Sequence, residues 1–138
     1  MRETVYNQVR AVHAMNVTAI STDASTDGVS VGLDQSGQDF RVATAVAYCT
    51  AYTDGEYAVV PQESANGSTG WTDVPPARVQ GSGVLAAANA VAEVGVIPDP
   101  ATAPFLRVRI ASTDTDVGAS VGALFLLGSP SSTPVARA

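Results

Sequence analysis

Val29, Val31 and Leu33 alternate with Ser30 and Gly32, the period-two signature of a strand that buries one face. The Asp27-Gly28 pair just before it is a turn signal. The longest periodic run covers residues 40–52, where Val42, Thr44, Val46, Tyr48, Thr50 and Tyr52 share one face and Ala43, Ala45, Ala47, Cys49 and Ala51 the other. Such a strand is expected to be covered on both sides, with the small face open to close approach by a second sheet or a neighbouring subunit. Asp54-Gly55 then predicts a two-residue hairpin turn into a strand over residues 57–64, in which Pro61 signals an edge position or a bulge.

Residues 66–70 read as a turn, and Trp71 and Val74 begin a short segment that ends at Pro75-Pro76. Residues 104–112 alternate cleanly, which points Leu106, Val108 and Ile110 inward and Phe105, Arg107 and Arg109 outward. After a turn at residues 114–116, a last strand spans residues 117–127 and turns apolar on both faces from Leu124 on, as a central strand does. Residues 84–93, rich in alanine, leave a short helix and an irregular loop both open. Short strands with regular turn signals predict an all-β protein, an antiparallel sandwich of jelly-roll-like form. Residues 1–16 are expected to form an N-terminal arm, residues 17–127 the β-sandwich domain, and residues 128–138, with two prolines and no periodicity, an extended C-terminal arm.

At 138 residues and 14.0 kDa the chain suits one domain. Charged residues make up only 14%, and net charge is −6 with seven arginines and no lysine. A balance of that sign repels phosphate, so neither nucleic acid nor an anionic membrane surface is expected as a partner. One cysteine, Cys49, and one histidine, His13, leave no internal disulfide and no zinc site. The N-terminus lacks a signal-peptide pattern and no stretch is apolar enough to span a membrane, so a soluble product made in the cytoplasm is expected.

Catalytic chemistry finds little purchase. Nucleophilic catalysis needs a base beside the nucleophile, and His13, the single candidate, falls in the expected arm. Cys49 lies among alanines and reads as a small core residue. Asp23, Asp27, Asp54, Asp114 and Asp116 all lie in turn contexts, and Asp114 with Asp116 lacks the further ligands of a calcium loop. No glycine-rich loop opens a helix, so no nucleotide is implied. Neither an enzyme, a cofactor nor a metal is expected. Trp71, Tyr48, Tyr52 and Tyr57 are the residues from which a sugar-binding platform would have to be made. Arg107 and Arg109 project from one face about 7 Å apart, and their side-chain type is the one enriched at interfaces.

Four segments together carry a family resemblance: VYNQVRAVHAMNV near the N-terminus, QESANGSTGWTDVP from Gln62, FLRVRIA from Phe105 and VGALFLLGSP from Val121. In this order the chain resembles small head decoration or minor capsid proteins of tailed viruses. It departs from their pattern at Phe105-Leu106, where relatives tend to place a tyrosine before the valine-arginine pair. The resemblance implies a virion structural protein on the capsid exterior that binds the major capsid protein, works as a homo-oligomer, expected to be a trimer, and has no catalytic residue. The lysine-free, alanine-rich composition fits a virus of a salt-loving archaeon or a GC-rich genome. Phe105, Arg107 and Arg109 are the candidate interface on the domain, and in the tail Val135 is the candidate apolar contact and Arg137 the candidate ion-pair partner. The competing reading is a carbohydrate- or receptor-binding β-sandwich on the virion surface.

Overall fold

The computed structural model describes residues 4–131. A one-turn helix α1 (Val5–Gln8) leads into β1 (Arg10–Ile20), β2 (Ser25–Asp27), β3 (Val31–Gly32), β4 (Asp34–Gln35), β5 (Gln38–Tyr52) and β6 (Glu56–Ser64). Then come β7 (Thr72–Asp73), a 3-10 turn (Pro76–Arg78), β8 (Val79–Gln80), β9 (Val84–Leu85), β10 (Val91–Val96), β11 (Phe105–Thr113) and β12 (Ala119–Pro130). The strands form two antiparallel sheets, an all-β sandwich as the alternation predicts. The β5 sheet has the order β1-β12-β5-β10-β8 with β4 beside β5, and the β6 sheet has the order β2-β11-β6-β7 with β3 beside β11 and β9 beside β6.

The core lies between the sheets, and side-chain volume decides which side of β5 faces it. Ala43, Ala45, Ala47 and Cys49 are buried, flanked in register by Leu127, Phe125, Ala123 and Val121 of β12 and by Val96, Val94 and Ala92 of β10. Across from them the β6 sheet supplies Tyr57, Val59, Leu106, Val108 and Ile110, so small residues on one layer admit large ones from the other. The inward and outward sets predicted for residues 104–112 hold: Leu106, Val108 and Ile110 are fully buried. The opposite side of β5 is not covered as expected. Val42 stays 48% exposed, and Thr44, Val46 and Tyr48 are only half-buried.

Several boundaries differ from the sequence reading. The stretch expected as an N-terminal arm is mostly core strand: β1 pairs with β12 from Arg10 onward, and Ala14 and Met15 are buried, because Val12, Ala14 and Met15 have apolar partners waiting beneath them. At the other end β12 runs past Gly128 to pair Pro130 with Phe40, and the Ser131 N–H donates to the Asp39 carbonyl at 2.8 Å. Residues 84–93 form no helix. β9 and β10 form instead, with Ala92 and Val94 inward against Ala47 and Ala45 and a turn between them in which Asn89 takes φ +60°. Cross-strand pairing outweighs the helix propensity of alanine here.

Asp54-Gly55 is a corner, not a hairpin, since it carries the chain from the β5 sheet to the β6 sheet. The Tyr52 hydroxyl donates to the Gly55 carbonyl at 2.9 Å and the Tyr57 hydroxyl to the Asp54 carbonyl at 2.7 Å, which fixes the bend from both sides. Pro61 lies inside a strand paired on both flanks, but at the one position where its missing N–H is harmless. The Val59 N–H is taken by the Gly83 carbonyl and the Pro61 carbonyl by the Val74 N–H, so a donor on Pro61 would point into the gap between β9 and β7. Gly28 marks a close approach of the two layers. Its N–H donates to the Val108 carbonyl at 2.7 Å while the next N–H, on Val29, reaches across to the Ala14 carbonyl, and a Cβ on Gly28 would lie 2.3 Å from that oxygen.

Candidate functional site

The predicted interface residues lie on the outer face of the β6 sheet, where the register places partners beside them. Arg109 sits opposite Asp27 of β2, and Arg107 opposite Gln62 of β6, which in turn sits opposite Asp73 of β7. From that register a hydrogen-bonded row follows. Arg109 Nε donates to Asp27 Oδ1 at 2.6 Å, and its second nitrogen donates to Oδ2 at 3.2 Å. Arg107 reaches the same carboxylate at 3.3 Å, donates through Nε to Gln62 Oε1 at 2.8 Å, and stacks its guanidinium 4.6 Å from the Trp71 ring centroid. Gln62 Nε2 donates onward to Asp73 Oδ1 at 2.8 Å. The hydrogen bond from Arg109 holds the Asp27 carboxyl below its ordinary pKa against the opposing effect of burial, and the charge of Arg107 adds to it.

Phe105 closes one end of this row. Its ring lies so near Gly67 that a Cβ there would come within 2.8 Å of it, and Gly67 takes φ +77°, a conformation open to glycine. The loop that carries Gly67 and leads to Trp71 is tied by its own side chains. Asn66 Oδ1 accepts the N–H groups of Ser68 and Thr69 at 2.9 Å, and Ser64 Oγ donates to the Thr69 carbonyl at 2.5 Å. The loop is therefore a fixed platform for Trp71, and the aromatic-arginine row is preformed.

On its inner side the same strand carries Glu63, which sequence reading passed over. Arg78 donates to Glu63 Oε1 at 2.5 Å and to the Ile97 carbonyl at 3.1 Å, so one guanidinium clamps β6 to the chain just after β10 and ties the two sheets together at that end. Glu63 Oε2 is buried and has no hydrogen-bond partner among the described residues. The Glu63 carboxylate raises the Arg78 pKa above its ordinary value, against burial. The polar Gln62-Glu63 step interrupting an apolar run was the available signal, although the partner of Glu63, 15 residues away across the sandwich, was not legible.

The outer face of the β5 sheet has a different character. Reading across β1, β12, β5 and β10, its rows are Ala11–Leu126–Thr44–Gly95 and His13–Leu124–Val46–Glu93, followed by Gly122–Tyr48–Val91 with the bulged Val17 of β1 beside it. Val17, Val91 and Leu126 are 52%, 62% and 37% exposed. Tyr48 lies over Gly122, where a Cβ would come 2.8 Å from the ring. Helix α1 rises at one corner, where Val5, Tyr6 and Val9 line a hollow of about 530 Å³ with Ala11 and Leu126.

The remaining candidates disperse. Tyr57 is buried in the core, Tyr52 meets it edge-on at 6.5 Å, Tyr48 is on the β5 sheet and Trp71 on the β6 sheet, so the four aromatics share no platform. Asp54 is a turn-former. Its carboxylate accepts the backbone N–H groups of Asp116, Val117 and Gly118, and these bonds, that of Gly118 foremost, lower its pKa. Cys49 is buried, and desolvation pushes its thiol pKa up. Among the described residues no group of three or more His, Cys, Asp or Glu is arranged to hold a metal, and no helix is long and apolar enough to cross a membrane. Val135 and Arg137 lie outside the described residues. No family model, curated protein or solved structure matches the chain.

Proposed function

We propose that the protein is a structural component of a tailed-virus head that decorates the capsid exterior by binding the major capsid protein, and that the outer face of the β6 sheet is the surface that binds. The observation that carries this reading is the Trp71–Arg107–Arg109 row with Phe105 at its end. Tryptophan and arginine dominate the energetics of protein interfaces, and both act best when their geometry is fixed before the partner arrives. Here Asp27, Gln62 and Asp73 do the fixing, so little side-chain entropy remains to be lost on docking. Two of the four segments that carry the family resemblance, those containing Trp71 and Arg107, meet in this row.

Co-sedimentation with undecorated capsids is the direct test. Wild-type chain is expected in the pellet at saturable stoichiometry. Trp71→Ala and Arg107→Ala are each expected to weaken binding at least about tenfold, the effect of losing one hot-spot contact. Pelleting of both variants at wild-type affinity, with their folds intact by circular dichroism, would move the binding surface elsewhere.

A further inference from the structure

We infer that the outer face of the β5 sheet is covered by a second copy of this chain, packed face to face about a two-fold axis parallel to the strands and lying between β12 and β5. This inference does not depend on the capsid reading. It replaces the expected trimer with a pair. Three observations lead to it.

The first is extent. Four strands about 4.8 Å apart, over the eight residue steps from Val42 to Thr50, give a face of about 500 Å² in projection, and two such faces reach the roughly 1,000 Å² at which a specific interface becomes stable. Exposed valines and leucines scattered singly would mean nothing, but here exposed Val17, Val91 and Leu126 share one face with half-buried Leu124, Val46 and Tyr48, and apolar residues gathered on one face mark a contact.

The second is charge. A chain of net charge −6 resists meeting its own copy unless the meeting surfaces are nearly free of like charge. Across the rows from Ala11 to Val91 the one acidic residue is Glu93, and it lies at one edge of the row whose other edge is His13. Neither makes an ion pair among the described residues.

The third is the self-complementarity of that order. The proposed axis reverses each row onto its copy, so His13 meets Glu93 of the partner subunit and Leu124 meets Val46 of the partner subunit. One row on, Val17 meets Val91 of the partner subunit. Sheets packed face to face lie about 10 Å apart, a gap that an imidazole and a glutamate side chain span together. The raised α1 corner, with Val5 and Tyr6 77% and 69% exposed, then overhangs the partner's corner at Val42 and Ile97, which are 48% and 45% exposed.

Two variants made separately test the arrangement. His13→Cys and Glu93→Cys are exposed changes, and the native Cys49 is buried and out of reach. Treated with a short bis-maleimide, each variant alone should remain uncrosslinked, since two-fold symmetry keeps position 13 away from its own copy, about 14 Å across the face. A mixture of the two should give a covalent dimer, with peptide mapping placing the link between positions 13 and 93. Sedimentation equilibrium of the unmodified full chain should show a dimer, and Val91→Arg, at a position exposed enough to spare the fold, should raise its dissociation constant at least about tenfold. A monomer at all concentrations, a trimer, crosslinking within either variant alone, or an unlinked mixture would each overturn the proposal.

Discussion

On the outer face of the β6 sheet every long polar side chain of the central row has a protein partner, whereas the outer face of the β5 sheet carries exposed Val17, Val91 and Leu126 beside half-buried Val46, Tyr48 and Leu124. Both faces belong to one sandwich and are backed by one core, so the difference is not one of fold. A self-satisfied polar face can meet water or a partner at little cost either way, which suits a contact made late and selectively. An apolar face is unfavourable for as long as it stays wet, which suits a contact made early and kept. Under the two proposals above, this division of labour between the faces would let a 138-residue chain join its own copy and still present a free surface.

The strongest way to break this comparison is to loosen the sheets from each other, since both faces depend on their mutual placement. Arg78→Ala leaves the buried Glu63 carboxylate without its counter-charge and releases the Ile97 carbonyl. With the pair 24% and 11% exposed, the expected loss is about 2 to 4 kcal/mol, toward the lower end of what breaking a buried pair costs. Urea denaturation measures it directly. The double variant Arg78→Met with Glu63→Leu is expected to recover most of that loss, because two apolar groups of similar volume leave no buried charge behind. A double variant as unstable as the single one would contradict this account of the clamp.

The same contrast explains how much could be read from the chain. Alternation in residues 104–112 gave the direction of Arg107 and Arg109, because period two is local and each residue's face follows from its neighbour's. Their partners were not legible: Asp27, Gln62 and Asp73 come from three other strands, and register across strands is fixed by long-range packing that no local pattern records. Along β5 the pattern showed two apolar faces yet not which one is buried. That was settled by volume, since only the alanine side leaves room for Tyr57, Leu106 and Ile110. The Asp54-Gly55 corner failed for a related reason. The dipeptide specifies a tight turn, but the hydroxyls of Tyr52 and Tyr57 and the N–H groups of residues 116–118 decide that the turn leads to the other sheet.

A smaller change sharpens the comparison by touching the layer between the faces and neither face itself. Cys49 is 2% exposed on the inner side of β5, in register with Val121. Cys49→Ala is expected to cost about 1 kcal/mol, the scale of removing one small buried group where the site can partly relax. Self-association and capsid binding should stay at wild-type strength. A normally folded Cys49→Ala chain that loses either interaction would show that the sulfur has a role beyond packing.

The smallest expected effect isolates the polar face. Asp27 is the one carboxylate shared by Arg107 and Arg109, and its side chain is 37% exposed, so solvent screening reduces what the pair contributes to about 0.5 kcal/mol. Asp27→Asn should therefore melt only slightly below wild type at neutral pH. The sign with pH follows from the lowered pKa of Asp27 in the folded chain: its contribution is complete above the unfolded value of about 3.9 and is lost as pH falls through the folded value. The gap in stability between the variant and wild type should close in acid, and it should also narrow in concentrated salt, which screens an exposed ion pair. The β5 face predicts the reverse response to salt, because association through apolar surface is not weakened by screening and is strengthened by salts excluded from that surface. Measuring both quantities across one sulfate series would separate the faces: the Asp27→Asn gap should shrink while the dimer tightens. A dimer that dissociates as sulfate rises would mean that charge, not apolar burial, holds the two copies together.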